Sequence, residues 1–325
     1  MSLTSLLIQF GAGLAVVLLA ADVLIIVTKE LAYRWKISPL ILSLLIVAFG
    51  TNLPELTVLL AALGNGDGGL ALGNIVGSNI SNLTLVFGLG VLAASPRIGT
   101  TKTPKNVLML VVMTVLFVTI RLLGVNPQLE IAALLGVLTY VLIYQYVLGV
   151  AGSKSEDKKL FQHKPHSFLA AIGSQGSVLA SLLLLIGAVI GLVVGSNTLV
   201  GAVQGLSVAL GVATSVLGLT LVATATSLPE LVTLLVAGSQ RQPKIMVGTL
   251  IGSNIYNLGL FVPIISFFRP RPEPALLDVF YLVVTTSLFA GIVLSSTGRQ
   301  IPRKFGVLAV IVYFIFIGHT YFLTF

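Results

Sequence analysis

Glu55 lies inside an apolar run that extends from 38 to 63, within the hexapeptide Gly50-Thr51-Asn52-Leu53-Pro54-Glu55. An ionisable side chain at mid-membrane depth costs about 2.5–3.5 kcal/mol on insertion scales and is normally kept there for function. Pro54, directly before it, has no N–H for the carbonyl of Gly50, and its ring pushes on that carbonyl. The pattern predicts a helix kinked here, with carbonyl oxygens around Ala48 to Thr51 left without helical partners. Such carbonyls survive at membrane depth only where they line a cavity or hold an ion. A carboxylate, a Thr, an Asn and loosened carbonyls form an all-oxygen set suited to a hard cation.

The same pattern returns 175 residues later as Ala225-Thr226-Ser227-Leu228-Pro229-Glu230. Gly77-Ser78-Asn79-Ile80-Ser81-Asn82 likewise returns as Gly252-Ser253-Asn254-Ile255-Tyr256-Asn257. Between 40–88 and 215–263, about 20 of 49 positions are identical without a gap, the mark of an internal duplication. Many secondary transporters are built from such repeats, with the substrate site near the bilayer midplane.

The 325 residues are 56% hydrophobic and 9% charged, and the mean hydropathy is +1.08, which excludes a soluble domain. No Cys is present, so disulfides, thiolate metal sites and thiol redox chemistry are excluded. His163, His166 and His319 have no spacing that suggests a metal site. The formal charge of +8 reads as loop topology, not as a nucleic-acid surface. Met1-Ser2-Leu3 lacks the basic start of a signal peptide, and the chain is read as entering its first span directly.

Apolar runs long enough to cross a bilayer fall near 5–28, 38–63, 69–94, 106–123, 128–150, 170–200, 206–238, 244–268, 275–296 and 304–324. The expected fold is an all-α polytopic membrane protein of ten transmembrane helices in two sets of five. Residues 1–150 form the first repeat with its motif at 40–88, 151–167 a short cytoplasmic linker, and 168–325 the second repeat with its motif at 215–263. The loops after the odd-numbered spans hold 15 of the 18 Lys and Arg, leaving Arg121, Arg269 and Arg271 for the other face. By the positive-inside rule both termini face outward. Five spans per repeat make the second copy upside down relative to the first. The charges agree: the loop between spans 2 and 3 has no Lys or Arg, whereas its counterpart carries Arg241 and Lys244.

Of the ten acids, Glu30, Asp67, Glu130, Glu156, Asp157, Glu273 and Asp278 fall in loops or at span ends, where solvation accounts for them. Asp22, Glu55 and Glu230 sit well inside apolar runs. No basic residue is deep enough to pair with both glutamates, Arg121 being the nearest candidate, so both are read as ion ligands. Asp22, whose counterpart is Asn197, is read as an interhelical hydrogen-bonding residue. Ser78 and Asn82 are spaced by four, as are Ser253 and Asn257, so each pair projects from one helical face. Small and amide side chains are usually packing glue in membrane helices. Their recurrence beside the glutamate motif makes ligation the better reading. Gly73, Gly77, Gly248 and Gly252 allow close helix approach.

The two Gly/Ala-Thr-Asn/Ser-Leu-Pro-Glu segments, each followed by Gly-Ser-Asn-Ile-x-Asn, resemble the paired α-repeats of the cation/calcium exchanger superfamily, with prokaryotic sodium/calcium exchangers as the nearest pattern. The resemblance covers nearly the whole chain. It implies a calcium site between Glu55 and Glu230, completed by the carbonyls of Thr51 and Thr226. It implies sodium sites using Ser78 and Ser253 with the carbonyls of Ala48 and Ala223, and a central polar site completed by Asn82 and Asn257. Asn257 stands where close prokaryotic relatives often have Asp. Asn52 stands where Ser is usual, as at Ser227, and proton-coupled members carry Asn at this position. The expected function is therefore Ca2+/Na+ antiport by alternating access, electrogenic with three Na+ per Ca2+, with proton-coupled antiport as the alternative. A channel would use similar oxygens but needs no inverted repeat. An intramembrane hydrolase would need a nucleophile that nothing here supplies. No cofactor and no nucleic-acid partner are expected; the partners are the two ions and the bilayer of a prokaryotic plasma membrane, with a monomer as the working unit.

Overall fold

The structure is a computed structural model that describes residues 2–35, 42–64, 66, 68–100, 102–151, 178–209, 226–268 and 276–324. Among the described residues the regular structure is helical, apart from two isolated β-bridges. In chain order the helices are α1 (Leu3–Trp35), α2 (Ala48–Thr51), α3 (Leu53–Gly64), α4 (Gly68–Ser81), α5 (Phe87–Ala94), α6 (Lys102–Leu122) and α7 (Pro127–Ala151). After them come α8 (Val178–Ala209), α9 (Leu228–Ser239), α10 (Pro243–Tyr256), α11 (Val262–Phe268), α12 (Leu276–Ser295) and α13 (Arg303–Thr324). Among the described residues, π turns at Ser43–Val47, Asn82–Val86 and Asn257–Phe261 lead into α2, join α4 to α5, and join α10 to α11.

Among the described residues, eight helical stretches are long and apolar enough to cross a membrane. The chain is an all-α, multi-pass membrane protein. Two of these stretches, Gly68–Ala94 and Pro243–Phe268, are 78% and 94% buried over their apolar windows, against 22–50% for the other six, so they form the centre. The short helices α3 and α9 pack beside them, α3 on α4 and α9 on α10.

The duplication read from the sequence is carried into the element boundaries. Shifting α3, α4, the Asn82–Val86 turn and the start of α5 by 175 residues gives the bounds of α9, α10, the Asn257–Phe261 turn and α11. The same sequence motif at the same offset places the same helix restarts, because Pro54 and Pro229 set them locally.

Several boundaries differ from the sequence reading. Helix α1 runs on through Glu30 and Arg34, expected in a loop, because these two pair at 2.5 Å across one turn. Helix α8 passes without a break through 201–205 to Ala209, where a gap between two spans was expected. Its glycines serve packing there: a Cβ at Gly205 would lie 2.4 Å from Leu6 of α1, and one at Gly195 would lie 2.7 Å from Val17. Of the runs 38–63 and 206–238, 38–41 and 210–225 lie outside the described residues, as do the linker from 152 to 167 and its Lys residues, Asp67, Glu273, His163, His166, Arg269 and Arg271.

The apolar core has two parts. Helices α1 and α8 pack on each other around Val17, Leu24, Leu185 and Leu192. The larger cluster joins α3–α7 and α9–α13, with Phe117, Phe261 and Phe289 fully enclosed. At one end, the segment after α5 and the segment after α12 are tied by bridges Arg97–Gln300 and Ile98–Thr297 and by the Ser95 hydroxyl on the Ile301 carbonyl at 2.6 Å.

Candidate cation site

Glu55 and Glu230 each stand in the first turn of a short helix, α3 and α9, and both are fully buried. The prolines before them do not kink a continuous helix. In both copies the chain stops, turns once at Asn52 (φ −82°, ψ 1°) or Ser227 (φ −80°, ψ 2°), and restarts with Pro inside the first turn. Pro is tolerated there because the first N–H groups of a helix have no intrahelical acceptor. The restart places each carboxylate beside the first backbone N–H groups of a helix, which have no intrahelical acceptor.

Contrary to the expectation from sequence, not every carbonyl from Ala48 to Thr51 is left without a helical partner. The Ala48 oxygen keeps its helical partner, the Asn52 N–H at 3.2 Å, and also accepts the Thr51 hydroxyl at 3.2 Å. The acceptor whose helical donor Pro54 removes is Gly50, four residues before the proline, and the Asn52 N–H turns toward it as well. With two donors on it, the Ala48 carbonyl is freed for an ion only when Thr51 turns away. Ala223 lies outside the described residues.

The ligand candidates cross between the copies. The Thr51 and Ser253 hydroxyls lie 3.4 Å apart, and their counterparts Thr226 and Ser78 lie 3.3 Å apart. Asn52 Nδ2 donates to the Ser253 carbonyl at 3.1 Å, and the Ser253 hydroxyl donates to Glu230 Oε1 at 3.3 Å. Thr226 faces Glu55, Thr51 faces Glu230, and the two carboxylates lie within coulombic reach of each other. Asn82 and Asn257 each open a π turn, a widening of the helix often found at functional sites.

Most oxygens in this cluster have no hydrogen bond of full geometry. These are both Glu55 oxygens, Glu230 Oε2, Asn52 Oδ1, Asn82 Oδ1, Ser227 Oγ and Asn257 Oδ1, all on buried residues. Buried polar atoms are almost always paired, so a concentration of free oxygens calls for a partner. Two carboxylates and several neutral oxygens suit a hard cation, as an all-oxygen set does. Among the described residues no group of three His, Cys, Asp or Glu gathers anywhere.

Two acids behave differently from each other. Asp22 accepts a hydrogen bond from Gln240 Nε2 at 2.5 Å, in keeping with its reading as an interhelical hydrogen-bonding residue. Glu130 is not solvated as expected; it is 3% exposed, lies 2.9 Å from Arg121 Nε, and accepts the Ser266 hydroxyl at 2.9 Å. The residues singled out in the sequence also leave out Asn79 and Asn254, which touch across the copies, and buried Asn74, Thr233 and Thr249. Their signal was their place on the helices of Ser78 and Ser253: Asn74 and Thr249 lie four residues before those serines, on the same helical faces.

Broken helices that meet deep in an apolar bundle and gather two carboxylates define a multi-pass membrane transporter. The sodium/calcium exchanger protein family matches residues 5–151 and 180–322, and the chain belongs to that family. It is 28% identical over 290 residues to an uncharacterized membrane protein of Methanocaldococcus jannaschii, covering 89% of this chain and 91% of that one. It is 26% identical to a sodium/calcium exchanger of Methanosarcina acetivorans, covering 94% and 95%. A solved structure of the sodium-calcium exchanger NCX_Mj soaked with Na+ and Sr2+ superposes with a TM-score of 0.80 at 27% identity, covering 98% and 99%. The family is one of transporters, not of enzymes.

Proposed function

We propose that this protein is an antiporter that exchanges Ca2+ for Na+ across the membrane by alternating access. One observation carries the reading: Glu55 and Glu230, related by the internal repeat, are both buried at helix restarts among unpaired oxygens. Two ionised carboxylates give a site of charge about −2, which one Ca2+ neutralises. The residues proposed to take part are Glu55, Glu230, Thr51, Thr226, Ser78, Ser253, Asn82, Asn257, Asn52 and Ser227, with the carbonyls of Ala48 and Ala223. The second copy is proposed to lie inverted to the first, the halves being 1–150 and 168–325 in a ten-helix plan. Both termini then face outward across a prokaryotic plasma membrane, and the monomer suffices.

Three Na+ on the same two carboxylates leave one net positive charge, so each cycle moves charge. Moving it through 100 mV is worth about 2.3 kcal/mol. Proton-coupled exchange, which Asn52 keeps as a second reading, would load two protons and move no net charge. The Asn52 amide supports sodium, because its Nδ2 is spent on the Ser253 carbonyl and its Oδ1 is left free as a neutral oxygen ligand. The test is calcium flux in proteoliposomes under imposed sodium, proton and voltage gradients. Sodium-driven uptake accelerated by a potential positive on the calcium-receiving side of a departing sodium load is the expected result. Uptake driven by a pH gradient, with no response to sodium at clamped voltage, would overturn it.

A further inference from the structure

Asn79 and Asn254 hold the same position in the two copies, 175 residues apart, and both are fully buried. Asn79 Nδ2 reaches the Asn254 carbonyl at 3.5 Å. A residue that touches its own counterpart lies where the two copies meet, as self-complementary contacts do at a two-fold interface.

Around this pair the hydrogen bonding is one-sided. Asn257 Nδ2 donates to Asn79 Oδ1 at 2.9 Å, whereas Asn254 turns its own amide onto the Leu250 carbonyl at 2.7 Å. The counterpart bond, Asn82 to Asn254, is not made: Asn254 Oδ1 and both polar atoms of Asn82 have no partner. The same bias appears nearby. Glu230 accepts the Ser253 hydroxyl, while neither Glu55 oxygen has a hydrogen bond of full geometry. Helix α9 presses on α5, with a Cβ at Gly90 only 1.8 Å from Leu234 and one at Gly238 only 2.8 Å from Ala94, while the counterpart helices α3 and α11 approach less closely.

We propose that Asn79 and Asn254 are a positioning pair that holds one of two alternative hydrogen bonds. Asn257 bonds to Asn79 when the protein is closed at the α5–α9 end, and Asn82 bonds to Asn254 when it is closed at the opposite end. The proposal rests on the exchange reading above and gives it a two-state element. The bond to Asn79 fixes the amide of Asn257 with its Oδ1 unpaired, whereas the amide of Asn82, whose oxygen is also unpaired, is held by no partner. Each end state thus presents one oriented amide oxygen to the cation and releases the other. An unpaired buried amide is costly, so the chain cannot hold both bonds open without loss, and only one is made in this conformation.

The Cys-free chain allows a direct test. Single-cysteine reporters are placed by Asn74→Cys or Thr249→Cys, buried counterparts one helical turn from Ser78 and Ser253, toward opposite ends in the inverted arrangement proposed above. The reaction rate of each with N-ethylmaleimide is measured in proteoliposomes, and the Thr249-to-Asn74 rate ratio reports the balance of end states. An interhelical hydrogen bond in a membrane protein biases such a balance by about three- to tenfold. Asn79→Ala removes the bond of the present state, so the ratio rises by that factor. Asn254→Ala removes the other bond, so the ratio falls, and the double variant returns to within about twofold of the parent. If either alanine variant does not fold, Asn79→Leu and Asn254→Leu, of closer volume, are read the same way. Shifts in one common direction, as loosened packing would give, or no shift beyond about twofold, overturn the proposal. Glu55→Gln separates the two levels. If it leaves calcium exchange intact, the site reading falls and takes this proposal with it; if it abolishes exchange while the Asn79 and Asn254 variants leave the labelling ratio unshifted, only the positioning pair falls.

Discussion

The hydroxyl of Thr51 lies 3.4 Å from that of Ser253, although 202 residues separate them, and Ser78 and Thr226 repeat the contact at 3.3 Å. Each helix restart is therefore completed by the long central helix of the other copy. Neither half gathers this cluster alone.

Replacing either carboxylate follows from this. Glu55→Gln or Glu230→Gln leaves one charge against a divalent cation, and calcium exchange in proteoliposomes is expected to fall below a tenth of the parent rate at matched expression, since an interaction with an ionised group is worth about 1.5–3 kcal/mol. Near-normal exchange in either variant removes the glutamate assignment.

Ser253→Ala takes away the hydroxyl that bridges Thr51 and Glu230 Oε1. The sodium concentration for half-maximal exchange is expected to rise about tenfold, from the loss of one charge-assisted hydrogen bond. Ser78→Ala is expected to act in the same direction, because Ser78 makes the counterpart contact with Thr226. An unchanged sodium dependence in both variants speaks against the hydroxyls as ligands.

Topology is checked with Ser2→Cys and Ser155→Cys, one at a time. An impermeant thiol reagent added to intact cells is expected to label the first and spare the second. Ser155 lies outside the described residues, so this prediction stands on the distribution of Lys and Arg alone. The reverse labelling pattern inverts the orientation.

Arg121 and Glu130 are predicted to matter for stability and not for transport chemistry. Arg121→Leu or Glu130→Gln leaves one buried partner uncompensated, and breaking a buried pair costs about 3–5 kcal/mol. A lower midpoint in detergent thermal unfolding is expected for each single variant. The double variant Arg121→Leu/Glu130→Leu is expected to recover most of the loss. Equal destabilisation in the single and double variants would show that the pairing contributes little.

The site was legible where local chemistry decides structure. Pro54 and Pro229 announce the helix breaks, and the repeated Thr, Glu, Ser and Asn positions name most of the gathered side chains. The kink drawn from Pro54 was nonetheless a stop and restart, because Asn52 turns before the proline and lets it fall in a first helical turn. The π turns at Asn82 and Asn257 carry no local signal, since one extra residue in a helix is a matter of packing on neighbours. Glu130 was misread as solvated because its partners lie on two other helices; Ser266 is 136 residues away. The Asn79–Asn254 contact was hidden for a similar reason: a repeat shows which residues correspond, not which of them touch.

The Arg121–Glu130 pair has a consequence for how the protein enters its membrane. The two residues sit at the end of α6 and the start of α7, joined by the short turn 123–126, so they belong to one helical hairpin. The lipid-buried end of that hairpin can leave the insertion machinery with its two charges already paired, long before α11 has been synthesised. Ser266 then arrives as a latecomer that docks onto an ion pair already formed, donating to Glu130 and accepting from Arg121 at 3.1 Å. The first half of the chain thereby carries its own shielding into the lipid, and assembly with the second half requires no bare charge to wait there.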